Sequence, residues 1–136
     1  MGLPRALLLD AVATGGLAAV LVDNFGLTAA RAVLTHFGFD HVWGLAAAMQ
    51  KGLRWANHNE EWRRAGPRIH TLGGLFLTRP GSEDPLTKKG AMLLTSYEAE
   101  QHLLHFGRSD STVCWTICGL MSGYISHTAG KEIYVL

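Results

Sequence analysis

Two glycines four residues apart, Gly119 and Gly123, stand inside an apolar run and constrain the fold of this chain more than any other feature. Residues at that spacing share one face of a helix, and glycine has no side chain, so a neighbouring backbone can approach that face closely. The flanking residues agree with a helix. Asp110 or Ser111 can cap one running from about 112 to 128, and Gly130 suits its end.

The first half of the chain also reads as helical. Pro4 suits a first turn and Gly26 a carboxy-terminal cap, which predicts a helix from about 4 to 25 whose Ala and Gly content admits a close neighbour. Thr28 can cap a second helix, with Leu27, Ala30, Val33, Leu34 and Phe37 at helical spacing and Gly38 at its end. Asp40 then caps a third, running through Trp43, Met49 and Leu53 toward Arg64 until Gly66-Pro67 stops it. From there the character changes. Arg68 to Thr78 reads as a strand with Gly73-Gly74 as a bulge, residues 79–89 as a polar loop, and Gly90 to Leu94 as the returning strand of a hairpin. Thr95-x-x-Glu98 has the spacing of a capping box and predicts a helix to about Phe106, before Gly107. Glu132 to Leu136 reads as a last strand. No repeat is present, and 136 residues suit one domain, 1–136, of α+β class: a helical front half, a β-hairpin, two helices and a final strand.

Charge and cysteine content exclude several function classes. Twelve basic and eleven acidic residues give a formal charge of +1, without the basic cluster of a nucleic-acid binder. Arg63-Arg64 and Lys88-Lys89 read as solvated surface. Cys114 and Cys118 are too few for a disulfide framework and poorly placed to bridge within one helix, so the cytoplasm is the expected compartment. Ala6 to Val22 is apolar but holds Asp10, Thr14 and Gly15-Gly16 and falls short of about 20 clean apolar residues. It reads as a buried helix of a soluble protein rather than a membrane span.

Few residues are set up for catalysis. Glu98, His102 and His105 share a helix face, but the H-E-x-x-H zinc motif is absent, and polar residues on an exposed or half-buried helix face are the better explanation. Cys114 and Cys118 would supply half of a four-ligand zinc site, or serve as small buried apolar residues. No nucleophile elbow, phosphate loop or dinucleotide fingerprint occurs. His70, in R-I-H-T-L, is different: a buried histidine offers one donor and one acceptor and can hold a phenolic hydroxyl in an apolar pocket. It could equally be a core histidine bonded to a carbonyl. Trp62, Phe76, Tyr97, Phe106, Trp115, Tyr124 and Tyr134 supply aromatic surface for either a pocket or a core.

The run SYEAEQHLLHFGRSDSTVCWTICGLMSGYISHTAGKEIYVL, from Ser96 onward, resembles the sensory amino-terminal domain of aromatic-responsive, sigma-54-dependent transcriptional activators, a family related to the 4-vinyl reductase domain. RALLLDAVATGGLAAVLVDNFGLTAARAVLTHFGF and AGPRIHTLGGL extend the resemblance over almost the whole chain. It implies a fold of the 4-vinyl reductase or vesicle-tethering-subunit kind that binds a small aromatic effector and restrains an ATPase until the effector arrives. His70 falls on the pocket histidine of the family's G-P-x-x-H pattern, and Phe76 lies in the same strand region. Leu93 stands where the family has a tryptophan that also holds the phenol hydroxyl, which shifts the expected ligand toward benzene, toluene or xylene. Tyr124 matches a pocket-lining tyrosine, and Tyr134 or Val135 falls near another.

The resemblance also implies one zinc ion, with Cys114 as a ligand. The family's later ligands, its ATPase and its helix-turn-helix lie beyond residue 136, so zinc is not expected at full occupancy in this chain. The partners expected are a small aromatic effector and a second copy bound through the helical front half, without direct nucleic-acid contact and without a membrane. Two other readings stand beside this one: a structural or interaction domain of the same fold that has lost sensing, and an enzyme related to hydrolases or reductases, for which no complete catalytic set is present.

Overall fold

The structure is a computed structural model and describes residues 7, 9–52, 58–78 and 93–135. The described residues are mostly helical. The elements are α1 (Ala11–Gly52), α2 (His58–Leu72), β1 (Leu77–Thr78), β2 (Leu93–Leu94), α3 (Tyr97–Phe106) and α4 (Trp115–Ala129). β1 and β2 pair antiparallel, Leu77 opposite Leu94 and Thr78 opposite Leu93, so the expected hairpin is present as a two-residue ladder. The returning strand expected from Gly90 is described only at 93–94. Pro4, the loop 79–89 and Lys88-Lys89 lie outside the described residues.

The three helices expected in the front half are arranged differently. Asp10 opens α1: its carboxylate accepts from the Ala13 amide at 2.7 Å. Gly26 breaks α1 into two helical segments where the first helix was expected to end, with φ 79° and ψ 164°, a conformation open to glycine and strained for other residues. The helix then passes straight through Gly38, the expected terminus, to Gly52. Gly38 has a packing reason: a Cβ there would collide with the Thr116 carbonyl of α4.

α4 is the centre of the molecule. Nearly every residue from Trp115 to Ser126 is buried, and α1 lies along it. Gly119 and Gly123 do what their spacing suggests. A Cβ at Gly119 would strike the Thr35 carbonyl, and one at Gly123 the Phe39 carbonyl. The two helices therefore meet backbone to backbone through Gly38, Gly119 and Gly123, and no side chain has room to yield at that seam. The expectation of a buried helix over Ala6 to Val22 is corrected. Val12 is 67% exposed, and Leu17 and Val20 are each 55% exposed. α4 reaches the second half of α1 through Val42, Ala46 and Met49; the first half meets α3, where Gly15 is buried against Gln101, and leaves its outer face open.

The strand expected over 68–78 is helix as far as Leu72, and only Leu77–Thr78 is strand. α2 runs through Gly66-Pro67, the expected stop, to Leu72. Proline gives up one ladder bond there, but the turn holds. What ends the helix is Gly73-Gly74, read from the sequence as a bulge. The Leu75 amide donates to His70 O (3.0 Å), the Gly74 amide to Thr71 O (3.0 Å), and Gly74 has φ 76°. That paired pattern is a Schellman cap.

α3 matches its expected span, capped by Ser96 rather than Thr95. The Ser96 hydroxyl accepts from the Ala99 amide, and Gly107 closes the other end on Leu103 O. No local side chain caps α4 at Cys114; the Glu98 carboxylate of α3 does so, taking the Thr116 and Ile117 amides at 2.7 and 3.0 Å. The final strand is not present among the described residues. Glu132 to Val135 form a tail pinned to α4, with the Ile133 amide on Ser126 Oγ (2.8 Å) and the Val135 amide on Ser122 Oγ (2.9 Å).

Candidate functional site

One face of α2 is built from positions four apart: Trp62, Gly66 and His70. This face meets α4 and the hairpin. Tyr124 of α4 fits against Gly66, where a Cβ would fall 2.7 Å from the tyrosine ring. Its hydroxyl donates to the Trp62 carbonyl and is also bonded to the Gly66 backbone, two groups that would otherwise pair along the helix. The Trp62 and Tyr124 rings stack with centroids 5.4 Å apart. Burial pushes the Tyr124 hydroxyl up to about 12, so it stays protonated.

His70 lies one turn beyond Gly66. It is 5% exposed, its ring is 5.8 Å from Phe76, and its Nε2 has no hydrogen-bond partner among the described residues. Burial, reinforced by the nearby His41, lowers its pKa to about 4. The imidazole is therefore neutral at physiological pH and keeps one ring nitrogen available. An unpaired polar atom in an apolar core costs about 1–3 kcal/mol, which a ligand with a hydroxyl group could recover.

Four of the five expected pocket residues come together. Phe76 and Tyr124 belong to one buried cluster with Val42, Met49, Trp62 and Leu120; Leu93 packs on its edge, and His70 lies against Phe76. Tyr134 does not join them. It is 60% exposed and stacks on Phe39 at 5.7 Å. With Val135 it lines a separate groove of about 580 Å³ shared with Arg31, Trp115 and Cys118. Trp62 is the neighbour that sequence reasoning left among the general aromatics. Its spacing to Gly66 and His70 was the available signal, and a strand reading from Arg68 hid it.

The zinc ligand implied for Cys114 stands in poor company for a metal. Its sulfur lies 3.4 Å from the Ser96 hydroxyl, and burial raises its pKa, which favours the thiol over the thiolate that binds zinc. Cys118 is raised in the same way. Among the described residues no three His, Cys, Asp or Glu side chains converge. These residues do not make a four-ligand site. His102 and His105 flank Phe106 without meeting Glu98, whose carboxylate is engaged by α4.

Comparison with known proteins gives a consistent picture. The crystal structure of the phenol-responsive sensory domain of the transcription activator PoxR, with phenol, superposes with a TM-score of 0.77 at 29% identity, over 95% of this chain and 66% of that one. XylR, a transcriptional regulatory protein of Pseudomonas putida, is 29% identical over 119 residues, which is 83% of this chain and 21% of XylR. The phenol regulator MopR of Acinetobacter guillouiae is 35% identical over 74 residues, 51% of this chain and 13% of MopR. The chain thus spans about a fifth or less of these relatives. The profile of a family described as activators of aromatic catabolism matches residues 2–83, more than half of the chain. With that match, the chain belongs to the family of activators of aromatic catabolism.

Proposed function

We propose that this chain is an effector-binding sensor module and not an enzyme, taking one small aromatic molecule where α2, the hairpin and α4 meet. The observation that carries the reading is the unpartnered Nε2 of a neutral, buried His70 beside Phe76 and the Trp62–Tyr124 stack. An aromatic guest fits such walls by shape and stacking, and one hydroxyl would satisfy the histidine. Leu93 offers no donor where the resemblance implies an indole, so toluene or xylene should compete better here than in a tryptophan-containing pocket. The test is a titration with phenol, toluene and xylene, followed by tryptophan fluorescence. Saturable quenching is expected, and His70→Ala should weaken phenol about tenfold while leaving toluene within about twofold. A folded protein with no response to any of the three would sink the reading.

One observation favours the second reading, an interaction domain of the same fold that has lost sensing. The Tyr124 hydroxyl is bound to the α2 backbone, so only its ring faces the cluster. A stable assembly without ligand response would support that alternative.

The wider role we propose is the sensor of a sigma-54-dependent activator of aromatic catabolism, acting in the cytoplasm without touching DNA itself. A homodimer through the helical front half is supported by the uncovered apolar residues of α1. By length and composition α1 could also cross a membrane, and its apolar window is only 11% buried; the reading without a membrane is supported by its second half, which the glycine seam holds against α4. Zinc is not expected at one ion per chain; metal analysis showing a stoichiometric ion would overturn that.

A further inference from the structure

Glu98 has no part in the effector cluster, yet its carboxylate is buried, 7% exposed, and fully engaged. It stands in an unbroken series of contacts. His70 O accepts from the Leu75 amide at 3.0 Å, and Leu75 O accepts from the Tyr97 amide at 3.1 Å. Glu98 follows Tyr97 and holds the Thr116 and Ile117 amides. Thr116 also bonds Tyr97 and Glu98 through its side chain, and its carbonyl sits against the Gly38 backbone in the α1–α4 seam. Helices usually cap themselves from the residue just before the first turn. Cys114 supplies no side-chain capping bond, its sulfur meeting the Ser96 hydroxyl instead, so the first turn of α4 takes its cap from another helix. Its place is therefore set by where α3 begins, which is in turn tied to the His70 turn.

We infer that Glu98 is a positioning residue that locks the first turn of α4 to the His70–Leu75–Tyr97 turn and so sets the α1–α4 seam against the effector cluster. The link itself rests on packing; only its consequence for ligand binding rests on the effector reading.

The experiment is backbone amide exchange by NMR on the whole chain without ligand, comparing the parent with Glu98→Gln. Glutamine keeps the size but turns an amide group toward one of the two donors. Exchange at Thr116 and Ile117 should rise about tenfold. It should also rise, by about threefold or more, at Tyr97 and Leu75, whose own bonds Glu98 does not touch. Acceleration confined to 116 and 117 would reduce Glu98 to a local cap and overturn the proposal.

Should Glu98→Gln alone fail to fold, Glu98→Gln with Cys114→Ser decides the matter, because serine at that position caps α4 locally. Under the proposal Tyr97 and Leu75 stay fast and phenol binds several-fold more weakly than to the parent. If the local cap restores both, the proposal is wrong. A parent chain that binds no aromatic would sink the effector reading instead, and exchange at Tyr97 and Leu75 would still decide the role of Glu98.

Discussion

The two sides of α4 are built on opposite terms. Toward α1 it presents Gly119 and Gly123, and contact is backbone on backbone, with Gly38 completing the seam. Toward α2 and the hairpin it presents Tyr124, and contact is ring on ring, with the His70 Nε2 left unpaired. The first side has no atom to spare and nothing that can move without shifting a helix. The second is lined by side chains that can adjust by rotamer, around a polar atom that lacks its bond. The proposed effector binding would use both: a rigid reference and an adaptable face mounted on it.

The largest test of this contrast is Gly119→Val. Its branched side chain would meet the Thr35 carbonyl, which belongs to helix backbone and cannot rotate aside. Overpacking usually costs about 1–3 kcal/mol where side chains can give; at this seam about 4 kcal/mol or more is expected, enough to unfold a marginal domain. Urea unfolding would show it. A loss under about 1 kcal/mol would mean that the seam is looser than backbone contact.

The adaptable side should reveal itself through pH. The pKa of His70 is about 4 when folded and 6.5 as a free side chain, so the unfolded chain takes up the proton first as pH falls. The contribution of His70 to stability is therefore complete above about pH 6.5 and lost as pH drops toward 4, by about 3 kcal/mol at most. Glu98 shifts the other way, because burial raises its pKa, and so favours the folded state at lower pH. The comparison that isolates the histidine is the thermal midpoint of the parent and of His70→Leu from pH 7 to 4.5. The parent's midpoint should fall relative to the variant's over that interval; parallel curves would place His70 in water.

Between these in kind lies Tyr124→Phe. It keeps the ring stacked on Trp62 but removes the hydroxyl bound to the α2 backbone, at a cost of about 1–2 kcal/mol. Because that hydroxyl faces the helix rather than the cluster, phenol affinity should fall less than in His70→Ala. An equal loss would mean that the hydroxyl leaves Trp62 to meet the ligand.

How much of this was legible in the sequence differs between the same two sides. The glycine face of α4 could be read because spacing alone defines it, and α3 because Gly107 marks its end and the Thr95-x-x-Glu98 spacing falls within a residue of the Ser96 cap. The partner of that face could not be read. Gly38 looks like a terminus from sequence, since mid-helix glycine is unfavourable unless something outside the helix requires it, and here Thr116 of α4 does. On the other side, Gly73-Gly74 has the same composition as a strand bulge and as a Schellman cap; the choice depends on whether α2 survives Pro67, which local pattern does not decide. The site residues follow from the resemblance, and four of five are neighbours, although His70 lies in a helix and Phe76 outside any strand, where the sequence suggests one strand for both. Tyr134 went astray because the tail is held by Ser122 and Ser126 side chains and not by a strand ladder. Glu98 was read as a reciprocal capping box, the local solution, whereas Ser96 caps α3 and frees the carboxylate for α4.

The smallest expected effect closes the comparison from the side of the glycines themselves. Gly16, on the open outer face of the first half of α1, meets nothing within 4 Å of where a Cβ would stand, in contrast to Gly119. Alanine there should stabilise the chain by up to about 1 kcal/mol, through helix propensity alone. The sign is the useful part. If copies of the chain pair through this outer face of α1, the added methyl group would lie in their contact, and the gain should hold in dilute protein but shrink or reverse as concentration favours the pair. Thermal melts of Gly16→Ala at low and high concentration separate the two cases. A loss of stability at every concentration would mean that Gly16 is already packed within one chain, and the distinction between a sealed and an open face of α1 would fall with it.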